Sequence, residues 1–378
     1  MLDVLQIFGR AGRPQYDKSG DAFIITTHDK IALYLSLLTR QSPIESQFIS
    51  SLADNLNAEV CLGSVTNVQE AIRWLTYTYL HVRMKSNPLA YGVTYRMLEK
   101  DPSLDIHRED LIKIAARQLD KAHMLRFDET TGHLHATDLG RTASHYYIKY
   151  DTIEITNLKL KEIMNDKEIL SLISECSEFQ QLKVRDEEMT ELDTLHESCE
   201  LPVMGGIEST QGKVNCLIQT YVSREKVEGF SLISDMAYVV QNVTRIARAL
   251  FEMSLKRGWA LMSGRLLNIC KSIEKQLWYF KSPMRQFESQ LTYEILNKIE
   301  DGRLSIEKLK DMSATELGSY LRHPKMGIKV KECLSFLPSI EIDTTLHPIT
   351  RTVLRVKITL EANFTWNDRI HGASEVNS

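Results

Sequence analysis

The stretch YVVQNVTRIARALFEMSLK, residues 238–256, indicates the fold class because it is long, apolar along one side and free of proline and glycine. Apolar side chains recur every three or four positions in this stretch, which is the period of an amphipathic helix. The set is Val239, Val240, Val243, Ile246, Ala247, Leu250 and Met253. The spacing predicts a helix over about residues 231–256 that turns these residues toward a core.

A second side of the same predicted helix is polar and carries two arginines on neighbouring turns. Its members are Gln241, Asn242, Arg245, Arg248 and Glu252. Such a stripe could follow a strand of nucleic acid and contact backbone and base edges with little sequence readout. The alternative is a solvated surface on which Arg248 pairs with Glu252. Trp259, Trp278 and Tyr279 follow, and they could either stack on bases or belong to the core.

Composition places the chain among ordinary globular proteins without a membrane segment. It has 378 residues, 43% hydrophobic and 25% charged, so we expect two to four compact units. The six cysteines are scattered without a CxxC pair, which favours reduced thiols in the nucleus or cytosol. The net charge of −4 conceals an asymmetry: residues 151–200 hold 14 acidic and 5 basic side chains, whereas residues 245–285 hold 9 basic and 2 acidic ones. The second segment is a candidate phosphate-binding face.

The first half of the chain has the parts of a winged helix. Residues 67–70 (NVQE) resemble a capping box that opens a helix running to about Met84. A helix over about residues 107–122 leads into residues 124–127, a turn, and residues 133–136, which read as strand, turn and strand. Helices followed by a two-stranded hairpin make a winged helix.

Residues 291–337 read as short helices, and residues 313–316 (SATE) predict another capping box. Lys325, Lys329 and Lys331 could supply charge to a phosphate held at a helix start. Apolar and polar residues then alternate over residues 354–360, which predicts a half-buried strand. A β-sandwich needs about 100 residues, so we expect a β domain that starts here and is incomplete.

Two stretches resemble binding sites, one for a metal ion and one for a phosphate, but neither has the full residue pattern of such a site. His133 and His135 lie on one face of a predicted strand, but no carboxylate or cysteine at ligand spacing accompanies them, so we expect no metal. Residues 205–213 (GGIESTQGK) resemble a phosphate loop, but the spacing is wrong and Val214 replaces the hydroxyl residue that would hold magnesium. We expect a plain loop there.

The segment QIFGRAGRPQYD, residues 6–17, places two glycines and two arginines within five positions. Glycine allows close backbone approach, and the planar fork of an arginine matches a phosphate edge. The alternative is a helix terminus followed by a solvated basic turn. Residues 20–27 (GDAFIITT) come next and predict a buried strand of an α/β sheet.

These segments together resemble one family. Residues 6–17 look like the sixth conserved motif of superfamily two DExH helicases, and the arrangement after them is similar to the winged helix and Sec63 homology unit of the large two-cassette helicases. Four further stretches resemble helicases that serve as subunits of a cointegrator complex, with the spliceosomal RNA helicases as the rival group. They are residues 1–8 (MLDVLQIF), 51–59 (SLADNLNAE), 87–92 (NPLAYG) and 138–147 (DLGRTASHYY).

The resemblance implies a mainly α, multi-domain chain with five parts. These are the end of a second RecA-like domain (1–31), a winged helix (32–150), a helical bundle with a ratchet helix (151–290), a helix-loop-helix (291–337) and the start of a fibronectin- or immunoglobulin-like β-sandwich (338–378). The first RecA-like domain, its phosphate loop and its DExH box are absent, so we expect a helicase fragment that does not hydrolyse ATP alone.

The resemblance also implies site residues. Arg10 and Arg13 would face the γ-phosphate of ATP, with Gln6, Gly9 and Gly12 beside it, but only in a full helicase that binds ATP and Mg²⁺. The ratchet helix would contact the translocating strand through Gln241, Asn242, Arg245 and Arg248. Implied partners are single-stranded RNA or DNA and the other subunits of the cointegrator complex, in the nucleus and cytosol. A non-catalytic interaction scaffold is the alternative for the isolated chain.

Overall fold

A computed structural model describes residues 2–12, 15, 19–38 and 44–372 of the chain. It divides into two compact units, residues 1–144 and 145–378, each of which is treated by itself. Both units are mainly helical, as the sequence predicts. Within the described ranges, no helix is long and apolar enough to cross a lipid bilayer.

The first unit contains eight described helices and one small hairpin. The helices are α1 (Leu2–Phe8), α2 (Ile31–Leu38), α3 (Leu52–Leu62), α4 (Val68–Thr76), α5 (Tyr79–Ser86), α6 (Tyr95–Lys100), α7 (Asp105–Lys121) and α8 (Asp138–His145). The strands β1 (Leu125–Phe127) and β2 (Leu134–Ala136) are antiparallel, with Arg126 opposite His135. The predicted strand, turn and strand are therefore confirmed.

The core of the first unit lies between α3, α4, α7 and the hairpin. Leu56, Leu75 and Ile112 are fully buried there. Helix α8 packs so closely that a Cβ added at Gly140 would lie 2.1 Å from the carbonyl oxygen of Met124, so only glycine fits. Helices and a two-stranded wing thus share one core.

The helix predicted from residue 68 to about Met84 is wrong in its length. Asn67 caps its start by accepting the backbone N–H of Glu70 at 3.0 Å, but the helix stops at Thr76 and a second one begins at Tyr79. Between them, Thr78 is extended and its hydroxyl donates to the carbonyl of Leu75. A threonine side chain can replace a helical hydrogen bond in this way and end the helix.

The strand predicted over residues 20–27 is not formed. This segment has no regular secondary structure, and both Phe23 and Ile25 are exposed. A buried strand needs neighbouring strands for its backbone groups. In the described ranges no strand pairs with this segment.

The second unit has ten helices in the described region before its hairpin. Their bounds are α9 (Tyr150–Lys159), α10 (Asp166–Ser174), α11 (Met189–Glu197), α12 (Thr210–Ser223), α13 (Phe230–Lys256), α14 (Ala260–Lys275), α15 (Tyr293–Asp301), α16 (Ile306–Asp311), α17 (Ala314–Tyr320) and α18 (Pro324–Phe336). Helix α13 packs between α12 and α14, with α10 against the same group. This arrangement makes the longest helix the central element of the unit.

A second cluster of buried residues joins α15 to α18, from Met284 to Leu337. The capping box predicted at Ser313 is present, since its hydroxyl accepts the N–H of Glu316 and the Glu316 carboxylate accepts the N–H of Ser313. The chain then forms β3 (Ile340–Pro348) and β4 (Leu354–Ala362), an antiparallel pair, followed by α19 (Asp368–His371).

The predicted strand over residues 354–360 is confirmed, but its predicted half-burial is wrong. Every residue of β3 and β4 is exposed. The register places Ile342 opposite Leu360 and Leu346 opposite Val356, so one face of the hairpin is apolar. An isolated two-stranded hairpin has no second layer to cover such a face.

Candidate nucleic-acid interface

Helix α13 has a buried face that holds it and a polar face that is available for chemistry. Six of the seven residues predicted to face the core are buried, and Val240 is half-buried. The helix spans 27 residues, or about 40 Å at 1.5 Å per residue. The polar residues from Gln241 to Glu252 occupy its middle part, whereas Phe230, Ile233 and Leu255 are exposed apolar residues nearer its ends.

The polar residues on this helix differ in exposure. Gln241 and Arg248 are exposed, Arg245 is half-buried, and Asn242 is only 4% exposed. The amide of Asn242 donates to the carbonyl of Tyr238 at 2.8 Å. Helical spacing alone groups Asn242 with its exposed neighbours, but it lies at the boundary of the stripe, where packing turns it inward.

The guanidinium of Arg245 is bound within the second unit. Its Nε donates to Oδ1 of Asn242 at 3.2 Å, and one NH2 donor reaches the same oxygen. Its NH1 donates to the carbonyl oxygens of Tyr146 and Tyr147, the former at 3.4 Å. Arg245 thus fastens the segment after α8 onto α13.

Arg248 points outward, and its partner differs from the one in the alternative of a solvated surface. It pairs with Glu274 of α14 rather than with Glu252. Glu252 instead accepts from Lys256 at 2.8 Å and from the hydroxyl of Tyr146. Burial, followed by the charge of Glu252, raises the pKa of Tyr146, so this tyrosine stays protonated and remains a donor.

A buried ionic cluster fixes the start of α13. The ammonium of Lys213 is fully buried and donates to Glu188 at 2.6 Å, to Asp235 of α13 at 2.7 Å and to the carbonyl of Lys183 at 3.0 Å. Arg185 adds contacts to both carboxylates. We call Arg185, Glu188, Lys213 and Asp235 the ionic cluster.

The plain loop predicted for residues 205–213 is wrong in its second part, because residues 210–213 form the first turn of α12. Ser209 caps α12, and the helix begins at Thr210, so Lys213 lies in its first turn with its charge turned into the protein. A phosphate loop needs an outward lysine. The burial of Lys213 has a signal in the sequence that the prediction missed. The apolar residues Val214, Cys216 and Leu217 follow it directly, and all three are buried.

The segment that resembles the sixth helicase motif lies in the first unit, and its described part is open to solvent. Helix α1 ends at Phe8, and Gln6, Gly9 and Arg10 are exposed while Gly12 is partly covered. The N–H of Arg10 donates to the carbonyl of Ile7 at 3.0 Å, which closes the helix end. Arg13 lies outside the described residues.

The remaining candidates are mostly engaged in structure. Lys331 donates to the carbonyls of Lys310 and Met312, the latter at 2.7 Å, whereas Lys325 and Lys329 are exposed. Trp278 is buried, with its indole N–H on Ser223.

Tyr279 donates its hydroxyl to Asp166 at 2.6 Å, and Arg257 lies over the ring of Trp259. The rings of His133 and His135 are 6.1 Å apart. Across the described residues, no group of three or more His, Cys, Asp or Glu side chains is placed to hold a metal ion.

Comparisons with known proteins match both halves of the chain. Residues 136–377 match the Sec63 Brl domain, and residues 45–121 match a winged helix-turn-helix domain. The activating signal cointegrator 1 complex subunit 3 of Gallus gallus is 56% identical over 373 residues, which is 98% of this chain and 17% of that protein.

Two further relatives carry helicase names. The DExH-box ATP-dependent RNA helicase DExH14 of Arabidopsis thaliana is 52% identical over 99% of this chain and 17% of its own length. The human U5 small nuclear ribonucleoprotein 200 kDa helicase is 44% identical over 99% of this chain and 18% of its own length. The chain therefore spans less than a fifth of these relatives.

Proposed function

The chain belongs to the Sec63-domain helicase family, and we propose that it supplies the path along which an ATP-dependent helicase guides a single strand of RNA or DNA. The observation that carries this proposal is α13, a helix of 27 residues that is held on its buried face and exposes Gln241 and Arg248 in its middle part. Residues 245–285 hold 9 basic and 2 acidic side chains, and this excess of positive charge favours the binding of a polyanion.

The four proposed contact residues take two roles. Gln241 and Arg248 are exposed and would contact the strand directly, Arg248 by exchanging Glu274 for a phosphate. Asn242 and Arg245 are hydrogen-bonded to each other, and they would hold in place the surface on which the strand lies. Arginine suits the outward role because its guanidinium stays charged and binds phosphate in a planar fork.

The sixth motif would act at the nucleotide. Gln6, Gly9 and Arg10 are exposed and fit a contact with the terminal phosphate of ATP, and Arg13 and Gly12 belong to the same proposed set. When bound, ATP with Mg²⁺ would supply the free energy for strand movement.

The names of the relatives indicate the kind of assembly in which the protein works. One is a subunit of a cointegrator complex and another belongs to a small nuclear ribonucleoprotein. We therefore propose membership of a comparable multi-subunit assembly in the nucleus. The RecA-like end and the β-sandwich start are part of the same proposal, as are the five domain boundaries predicted from the sequence.

A protein-interaction scaffold is the second candidate function. The apolar face of the β3–β4 hairpin favours it, since Ile342, Ile358 and Leu360 are each about 60% exposed. Large exposed apolar patches mark interaction sites. Such a scaffold would bind no nucleic acid, so the two functions make opposite predictions.

Fluorescence anisotropy of a labelled single-stranded oligonucleotide, titrated at two salt concentrations, tests the proposal. Binding should weaken steeply as salt rises, because phosphate contacts release counterions. Arg248→Ala should lower the affinity and reduce the slope of log affinity against log salt by about one. Lys226→Ala is the control, since Lys226 is 84% exposed and lies outside α13. A folded protein that shows no salt-sensitive binding would contradict the proposed function.

A further inference from the structure

Tyr147 combines a strained backbone with an exposed aromatic ring. It follows α8 by two residues, has a φ of 53°, and leaves 81% of its surface open to solvent. Positive φ also occurs at other described residues beside helices, among them Leu104, Arg224 and Gln276. A bulky residue in this region is uncommon, and it persists only where surrounding contacts determine it.

The contacts that determine this backbone come from both sides of Tyr147. The Tyr146 hydroxyl is bound to Glu252 of α13, and Ile148 is buried. Between these anchors, Arg245 donates to the carbonyl of Tyr147 itself. The segment is therefore fixed along α13 with the ring of Tyr147 directed away from the core.

The donors of Arg245 leave little capacity for a phosphate. A guanidinium has five N–H donors. Nε and one NH2 donor are used by Asn242, and NH1 is used by the carbonyls of Tyr146 and Tyr147. The position of Arg245 within the polar face is thus better suited to holding Tyr147 than to binding a ligand.

We propose that Tyr147 is a stacking platform for one base of the strand, and that Arg245 is a positioning residue that acts through the backbone of Tyr147. This inference rests on the proposed function and deepens it. Exposed Gln241 and Arg248 flank Arg245 on the same helix, one turn to either side, so a strand whose phosphates contact Arg248 would bring bases near the ring.

We assign a nucleic acid base rather than an apolar protein surface to this ring because Arg245 binds the Tyr147 backbone, and the neighbouring turns of its helix expose Gln241 and Arg248. Arg245, Arg248 and Gln241 would have to lose water against an apolar partner, whereas they suit a sugar-phosphate chain. Every base has a π-face, so a tyrosine platform adds affinity without sequence preference.

Binding of labelled single-stranded oligonucleotides to the full chain tests this assignment. Tyr147→Ala should weaken binding about 5- to 100-fold, the loss of one base–aromatic stack, and should leave the salt slope unchanged. Tyr147→Phe keeps the ring and should bind within about twofold of the wild type. Tyr77→Ala is the matched control, since Tyr77 is 90% exposed but lies in the first unit.

A second measurement separates positioning from phosphate contact. Arg245→Ala and Arg245→Lys should weaken binding in the wild-type background but have little further effect when Tyr147 is already alanine, because both act through the same ring. An oligonucleotide with 2-aminopurine should be quenched on binding to the wild type and less so on binding to Tyr147→Ala. Circular dichroism establishes that each variant is folded.

The outcomes distinguish the inference from the proposed function. If the wild type fails to bind at any salt concentration, both are overturned. If the wild type binds with a steep salt dependence and Tyr147→Ala binds equally well, only the stacking platform is overturned. The same holds if Tyr147→Phe loses as much affinity as Tyr147→Ala. Additive effects of the Arg245 and Tyr147 substitutions would overturn the positioning role.

Discussion

Replacing Lys213 with methionine should destabilise the second unit strongly, although Lys213 belongs to no contact surface. Methionine keeps most of the length of the side chain but removes the ammonium, which donates to Glu188, Asp235 and the carbonyl of Lys183 at 2.6–3.0 Å. The substitution leaves two carboxylates close together in the interior. An uncompensated buried charge is costly because it has lost its water.

The expected loss is about 3 kcal/mol, at the lower end of the 3–5 kcal/mol that follows from breaking a buried ion pair. Arg185 limits the loss because it contacts both carboxylates. It does not remove the loss, because its side chain is partly exposed. A second estimate comes from Glu188. Burial by itself would raise the pKa of Glu188, but hydrogen bonds from Lys213, Ser231 and Arg185 outweigh it and lower the pKa from 4.5 to about 2. That difference corresponds to about 3 kcal/mol for Lys213, Ser231 and Arg185 together, so Lys213 accounts for only part of it.

The same pKa gives the pH dependence. The carboxyl of Glu188 has a lower pKa in the folded protein than in the unfolded chain, so its contribution to stability is complete above about pH 4.5 and disappears as pH falls toward 2. The difference in unfolding free energy between wild type and Lys213→Met should therefore be largest near neutral pH. It should narrow below about pH 4 as Glu188 gains a proton.

Urea unfolding followed by tryptophan fluorescence measures this difference, because Trp259, Trp278 and Trp366 all lie in the second unit. The control is Lys226→Met, whose exposed pairing with Glu228 at 3.3 Å should contribute less than about 0.5 kcal/mol. A folded Lys213→Met variant that unfolds at the same urea concentration as the control would refute the role of the ionic cluster.

Two further predictions concern the first unit and helix propensity. Gly140→Ala should destabilise the first unit by about 2 kcal/mol or more, since the new Cβ would lie 2.1 Å from the carbonyl oxygen of Met124. The control is Gly264→Ala on α14, where the new Cβ meets open space, so this variant should be neutral or more stable by up to about 1 kcal/mol. Equal changes in melting temperature for the two variants would contradict the importance of packing at Gly140. Hydrogen bonds from Arg83, Asn87 and Tyr91 lower the pKa of Glu45 to about 2, so the melting temperature of the wild type should fall between pH 4.5 and 2 by more than that of Glu45→Gln. Parallel curves for the two proteins over that range would contradict the prediction.

The sequence alone determined the elements whose formation depends on near neighbours. The apolar period of residues 239–253, the strand and turn pattern of residues 124–136 and the capping box at Ser313 all act within a few positions of each other, and the structure contains each of them. The strand predicted at residues 20–27 does not form, because its formation depends on residues elsewhere in the chain. A strand forms through pairing with other strands, and its own residues cannot supply that pairing.

Only the tertiary structure decided how the polar side chains are used. Helical spacing places Asn242, Arg245 and Arg248 together, but it cannot tell which of them turns inward, because the partners lie far away in the chain. Arg245 is bound to a carbonyl 98 residues earlier, and Lys213 to a carboxylate 25 residues earlier. The exposure of Tyr147 has the same origin, since the contacts that fix its backbone come from α13. Periodicity is a local property of the backbone, whereas the partner of a charged side chain is set by which distant elements pack beside it.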